Sequence, residues 1–375
     1  MNKIVITSDS FKGSLTSVEV ARSAAKGIGE VFPECTVVEV NVADGGEGTV
    51  DAVVDALHGK KVAVAVSDPL GRSIKSEYGI AGDTAVIEMA AASGLPLLSV
   101  EERNPLVTSK RGTGEMIMDA MARGCRKFLV GIGGSATNDA GTGMLQAMGF
   151  KFYDAEGYLI DDCCGGRLED IAVIDDSCVP QSVKESDFAV ACDVDTPFCG
   201  PEGAAPVFAP QKGADAAMVC RLDAGMASFA RVIKAKYGID VVPVAGAGAA
   251  GGMGGAFLAF LGATLKKGID MVLDAIGFDE IIAGADLVIT GEGKVDFQTA
   301  KGKTAAGVLA RGKRLGILVI AIGGCVEMCD SLEQMGFAGI YPILEEKVPL
   351  EVAMQRDFAS ANVTRTVARV LRNMR

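Results

Sequence analysis

An apolar run that ends in a glycine-rich turn and leads into a helical pattern recurs along this chain, and that repetition constrains the fold more than any other feature. In its fullest form, Phe128 to Ile132 is followed by Gly133-Gly134-Ser135-Ala136-Thr137-Asn138-Asp139-Ala140-Gly141, then by helical spacing from Met144 to Met148. Glycines let a turn expose its N–H groups, and a helix N-terminus adds partial positive charge. Together they make a seat for an anion, with Gly133, Gly134, Ser135 and Asn138 as the candidate contacts. The other turns of this kind also carry hydroxyl or acidic residues, a design that points to phosphate chemistry.

Both ends of the chain alternate strand and helix. Ile4 to Thr7 reads as a strand, Thr16-Ser17-Val18-Glu19 as a capping box, and Val18, Ala21, Ala25, Ile28 and Phe32 as one helix face. Asp286 to Thr290, Leu315 to Ile322 and Gly339 to Leu344 read as buried strands separated by helical segments. Such alternation predicts an α/β fold whose parallel sheet carries helices on both faces, Rossmann-like or flavodoxin-like. The middle is more mixed, with strands at Lys61 to Ser67 and Thr84 to Met89, a hairpin signal at Asp154-Ala155-Glu156-Gly157, and a long helix over Asp215 to Tyr237. The expectation is a discontinuous domain of residues 1–58 and 284–375 and an inserted mixed α/β domain of 59–283. The two chain crossings would make a hinged cleft for the ligand.

Composition removes several classes. The net charge is −12 with no basic run, which argues against nucleic-acid binding. Ten cysteines without a C-x-x-C pair and a single histidine, His58, exclude a zinc site of ordinary spacing and leave no Ser–His or Cys–His system unless His58 serves it. Cysteines in apolar runs, such as Cys192 and Cys325, read as small core residues. Val241 to Leu265 has no charge and the length of a membrane span, but its first half is glycine-rich and contains Pro243, so only Ala256 to Leu265 reads as helix. No secretory signal precedes the first strand, and a reduced cytoplasm is expected.

Candidate chemistry sits in the turns. After the first strand come Ser10 and Lys12, suited to an acidic substrate or phosphate. After the second come Asp44, Gly45 and Gly46, with Asp44 a possible base or metal ligand. Asp193 ends the run Ala191-Cys192-Asp193, placed for Mg²⁺ or proton abstraction. Lys212, in Pro210-Gln211-Lys212-Gly213, is a candidate phosphate partner. Thr290-Gly291-Glu292-Gly293-Lys294-Val295-Asp296 offers two carboxylates and a lysine. Gly302-Lys303-Thr304 invites a P-loop reading, but Phe297 stands where that motif needs its first glycine. Gly246 to Gly251 fits G-x-G-x-x-G, a dinucleotide fingerprint or equally a tight packing element.

Taken in order, these segments resemble the type-1 bacterial glycerate kinase family over nearly the whole chain. The matching residues are Asp9 to Ser14, Ala43 to Thr49, Asp68-Pro69-Leu70-Gly71-Arg72, Ile132 to Asp139, Pro210 to Ala214, Gly246 to Gly251 and Thr290 to Thr299. Ala245 stands where the family often has proline, and Lys110-Arg111 where an aromatic is usual. The resemblance implies a two-domain α/β fold unrelated to P-loop kinases. It also implies ATP-dependent phosphorylation of D-glycerate, at the 2-hydroxyl, giving 2-phosphoglycerate and ADP. Phosphorylation of the 3-hydroxyl or of another small hydroxy-acid, a nucleotide-dependent oxidoreductase and a non-catalytic binding module are the alternatives.

Phosphoryl transfer asks for positioning and charge neutralisation. On this reading ATP and Mg²⁺ are the cofactors, with Asp193 and Asp296 the metal carboxylates. Asp44 or Asp193 accepts the hydroxyl proton, Lys12 and Lys294 neutralise anionic charge, and Gly133, Gly134 and Ser135 cradle anionic oxygens. The partners are small molecules, with neither nucleic acid nor membrane, and a homo-oligomer stays open.

Overall fold

The computed structural model describes residues 1–375 other than Asp44, Glu47, Glu345 and Lys347, and of Lys301 the backbone only. In chain order the strands are β1 (Lys3–Ser8), β2 (Thr36–Glu39), β3 (Lys60–Ser67), β4 (Ser73–Ala81), β5 (Thr84–Glu88), β6 (Lys127–Gly131), β7 (Lys151–Tyr153), β8 (Val173–Asp175), β9 (Asp187–Ala191), β10 (Thr264–Lys266), β11 (Leu287–Val295), β12 (Leu318–Val326) and β13 (Gly339–Pro342).

Two compact units share the chain. One comprises Met1–Asp44 and Val272–Arg375, the other Gly45–Met271. The changeovers fall at 44/45 and 271/272, against the sequence-based 58/59 and 283/284. The helix Thr49–Ala56 accounts for the first difference: it packs on β4 and β5, and its Val50 N–H donates to Glu88 Oε1 at 2.9 Å.

In the discontinuous unit, five strands form a wholly parallel sheet in the order β13-β12-β11-β1-β2. Ile4, Val5 and Ile6 face Leu287, Val288 and Ile289 in register, and all six are buried. Near-continuous apolar runs of this kind belong to strands covered on both faces. Ile4, Ile6, Leu287 and Ile289 share a core with Val20, Ala24, Val363 and Val367 from the helices Ser17–Gly29 and Arg356–Asn373. Those helices approach closely at Gly27, where a Cβ would lie 2.4 Å from the Thr364 carbonyl oxygen. The alternate residues face the other way, and there Val319 meets Gly312 of the helix Thr304–Arg314. The Thr16–Glu19 capping box is present as read. Counted along the chain, the five strands lie in the doubly wound order 2-1-3-4-5, whose switch point falls between β1 and β11.

The second unit holds a six-stranded mixed sheet, β10-β9-β6-β5-β4-β3. Strands β5, β6, β9 and β10 run parallel, and β3 and β4 complete it antiparallel. Phe128 and Phe188 stack on neighbouring strands with ring centroids 4.9 Å apart, and Phe257 joins them. The long helix is Ala216–Tyr237, capped by Asp215 and burying Leu222, Met226, Phe229 and Ile233. The uncharged segment forms a helix only over Ala249–Leu261, interrupted by left-handed backbone at Ala250, Gly251 and Gly252, and then enters β10. Among the described residues no helix is long and apolar enough to cross a membrane.

Candidate functional site

Parallel α/β sheets offer ligand sites beyond the carboxyl ends of their strands. In the discontinuous unit the turn after β1 is tied to β11 at that edge: Asp9 N–H and Ser8 Oγ each donate to the Gly291 carbonyl oxygen at 2.9 Å. Just beyond lies a cavity of about 470 Å³. Asp9, Ser10, Lys12, Glu292, Lys294 and Lys303 contribute its polar walls, and Phe11, Ile343, Leu344, Val348, Leu350 and Met354 its apolar ones. Four residues singled out from the sequence, Ser10, Lys12, Glu292 and Lys294, thus share one cavity.

Their states differ. Glu292 is 6% exposed, and its Oε1 is buried without a hydrogen-bond partner. Burial pushes its carboxyl above the ordinary range, opposed by the Thr299 hydroxyl and by Lys303, whose Nζ is 4.0 Å away. Lys294 is half-exposed and already paired with Glu327 at 2.9 Å and Asp296 at 3.3 Å. Asp296 is buried and accepts the Gln298 N–H at 2.8 Å. Lys303 stands just before the helix Thr304–Arg314 and lines the cavity although its surroundings are not a P-loop. Cys325, read as a core residue, is exposed and lines the same cavity, because β12 runs beyond the protected part of the sheet at that point.

In the other unit the candidate residues gather at the carboxyl ends of β6 and β9. Gly45 has φ +86°, and a Cβ there would lie 2.5 Å from Ala191 Cβ and 2.8 Å from Gly268 Cα, so only glycine fits. Gly46 receives the Thr49 hydroxyl on its carbonyl oxygen at 2.8 Å. Asp193 is exposed, and its Oδ1 accepts the Gly268 N–H at 3.0 Å. Asp44 lies outside the described residues.

The turn after β6 departs from the expected anion seat. Gly133 and Gly134 are exposed, and a Cβ on Gly133 would meet nothing within 4 Å. The following helix, Thr142–Ala147, does not present an open N-terminus, because Asp139 accepts the Gly141 and Gly143 N–H groups at 3.3 Å each. A carboxylate of the chain itself occupies that position, as Glu88 does for the helix Thr49–Ala56. Ser135 turns inward, where its hydroxyl accepts the Thr137 N–H at 3.2 Å. Asn138 is fully buried, its Nδ2 against Met226 Sδ and its Oδ1 without a partner. Lys212 is 2% exposed and donates to the Thr137 carbonyl oxygen at 2.6 Å. Beside it Lys110 and Asp139, both fully buried, pair at 2.8 Å. Burial works to raise the Asp139 carboxyl, but Lys110 and the surrounding donors hold it below the usual carboxylate range. Burial, and then the charge of Lys110, push Lys212 well below the ordinary lysine value. Asn138 and Lys212 therefore sit behind the turn, and the open part is Gly133-Gly134.

The glycines from Gly246 onward serve close packing. The run follows no strand, a Cβ on Gly251 would lie 2.3 Å from the Thr137 carbonyl oxygen, and one on Gly254 2.2 Å from that of Gly246. No cluster of three or more His, Cys, Asp or Glu side chains that could hold a metal occurs among the described residues. A Mg²⁺ ion carried by a nucleotide asks for only one or two carboxylates besides water and phosphate oxygens, a need that the exposed Asp193 fits better than the buried Asp296, whose two oxygens are engaged by the Gln298 N–H and Lys294.

The family model described as the glycerate kinase family matches residues 4–375. A glycerate kinase of Bacillus subtilis (strain 168) is 46% identical over 356 residues, 94% of this chain and 93% of its own. A glycerate 2-kinase of Escherichia coli (strain K12) is 45% identical over 379 residues, 99% of each chain. A solved structure from Salmonella typhimurium LT2 superposes with a TM-score of 0.90 at 43% identity, covering 100% of this chain and 98% of that one.

Proposed function

This chain belongs to the glycerate kinase family, and on that footing we propose that it transfers the terminal phosphoryl group of ATP to the 2-hydroxyl of D-glycerate, giving 2-phosphoglycerate and ADP. The observation that carries the reading is the cavity at the switch point of the parallel sheet, where Lys12 and Lys303 share the walls with Asp9 and Glu292. Cations there suit phosphate oxygens, and carboxylates suit hydroxyl donors. The choice of the 2-hydroxyl rests on the likeness to the Escherichia coli glycerate 2-kinase.

In this reading Asp193 accepts the hydroxyl proton as the new P–O bond forms, its orientation fixed by the Gly268 N–H. Lys12 neutralises incoming anionic charge, while Lys294 bridges Asp296 and Glu327 and keeps that turn in place. Gly133 and Gly134 offer backbone N–H groups to anionic oxygens. Mg²⁺, bound with ATP, would offset charge on the phosphates. The enzyme would act on small molecules in a cytoplasmic setting.

Incubating the protein with ATP, Mg²⁺ and D-glycerate and following ³¹P and ¹³C NMR tests the assignment. A phosphorus-coupled C2 supports it, and a coupled C3 moves the reaction to the other hydroxyl. Failure to form either ester overturns the kinase reading.

A further inference from the structure

The cavity of the discontinuous unit is larger and more apolar than a three-carbon hydroxy-acid requires. Its volume of about 470 Å³ falls in the range of sites for ligands the size of a nucleotide. Phe11, Leu350 and Met354 offer an apolar wall, for which glycerate has no matching surface and a purine has. The cavity also stands at the switch point between β1 and β11, the crevice where doubly wound sheets bind ligands.

Glu292 adds an independent constraint. It is more than nine-tenths buried, lines the cavity, and leaves Oε1 without a partner. A buried acceptor of this kind needs a donor. A hydroxyl of glycerate or of a ribose can supply one, but glycerate would bring its carboxylate into the cavity walled by Asp9 and Glu292, whereas a ribose carries no charge of its own.

We propose that this cavity seats the nucleoside triphosphate, with the base against Phe11, Leu350 and Met354, a ribose hydroxyl donating to Glu292, and the phosphates running toward Lys12 and Lys303. The assignment rests on the kinase reading and says which substrate this unit takes.

Cys325 supplies a direct probe, because it lines the cavity and is exposed, while Cys178 and Cys220 are exposed elsewhere. Alkylation by N-ethylmaleimide, resolved cysteine by cysteine with mass spectrometry, should slow at Cys325 by about 10-fold under saturating MgADP, corresponding to roughly 90% occupancy. Rates at Cys178 and Cys220 should not change, and D-glycerate alone should leave Cys325 within about 2-fold of its free rate. Protection by D-glycerate, or none by MgADP, overturns the proposal. The readout needs no turnover. An inert protein whose Cys325 is shielded by MgADP loses the kinase reading and keeps the nucleotide seat, and an active kinase without that shielding loses only the seat. As a second arm, Ala353→Trp should fill the cavity and raise KM for ATP about 10-fold or more while KM for glycerate stays within about 2-fold. The reverse pattern would make the cavity the acid site.

Discussion

Replacing Asp139 by asparagine probes the buried group that holds the turn after β6. The carboxylate receives Lys110 Nζ at 2.8 Å, Lys110 N–H at 2.9 Å, the Thr137 hydroxyl at 3.0 Å and two glycine N–H groups at 3.3 Å. Asparagine keeps one acceptor oxygen, turns an amide toward donors and leaves Lys110 buried without a counter-charge. Removing one partner of a buried pair costs about 3–5 kcal/mol, and the number of donors stranded here places Asp139→Asn near the top of that range. Lys212→Met should behave differently. It loses one hydrogen bond to Thr137, about 1 kcal/mol, but also removes a second cation from beside Lys110, so it should stay within about 1 kcal/mol of the parent. The pH sign follows from the lowered Lys212 value. The folded chain binds fewer protons than the unfolded one, so stability rises with pH from the depressed folded value up to the ordinary 10.5, and Lys212→Met removes that slope. A double variant, Lys110→Met with Asp139→Asn, should recover part of the loss, because it removes the stranded ammonium and leaves the backbone donors one acceptor oxygen. Calorimetry with hydrogen exchange resolved over residues 45–271 is the assay, since a chain of two units need not unfold in one step. An Asp139→Asn cost below about 1 kcal/mol, or a Lys212→Met cost equal to it, would refute the charge assignment.

Three other outcomes follow from the geometry. Asp193→Asn should lower kcat by about 100-fold with the melting temperature unchanged, and near-normal turnover would remove Asp193 from the proton transfer. Glu292→Gln should stabilise the ligand-free protein by on the order of 1 kcal/mol near pH 8 and by nothing near pH 4. The buried carboxyl has a raised folded value, so its stability is intact at low pH and is lost as pH rises through that value; an equal effect at both pH values in calorimetry would contradict the assignment. Gly251→Ala, with φ +65° and a Cβ driven to 2.3 Å from the Thr137 carbonyl oxygen, should cost about 3 kcal/mol in thermal unfolding, from left-handed strain plus overpacking. Gly133→Ala has open space around it, so it should melt like the parent and raise a KM in steady-state kinetics; the opposite ranking of the two variants would reverse their roles.

The parallel sheet was legible in the sequence because its strands are covered on both faces and therefore read as unbroken apolar runs at Ile4 and Ile289. The capping box at Thr16 was legible for the same local reason: its partners lie three residues apart. The order of the strands was not, since β11 joins β1 across more than two hundred intervening residues. The apolar wall of the cavity was equally hidden. Leu350 opens a short helix with no motif and Met354 follows its end, and only the fold brings them to Phe11. Lys212 stood out as a candidate phosphate partner in its Pro-Gln-Lys-Gly turn, but its burial was not legible there, because the Thr137 carbonyl oxygen that it reaches lies 75 residues away.

The glycines show why turn composition carries only part of the information about a site. Gly133 and Gly251 look alike in sequence, each within a glycine-rich segment beside small residues. One has vacant space where its side chain would be, and the other has a carbonyl oxygen there. Vacancy next to exposed N–H groups leaves room for a ligand, whereas contact means that the missing side chain serves packing of one backbone on another. The same distinction separates the open Gly133-Gly134 bend from the helix start just beyond it, where Asp139 already supplies the negative charge that a bound anion would have brought. An anion seated in this turn would therefore be held by the backbone N–H groups of the bend and not by the helix that follows.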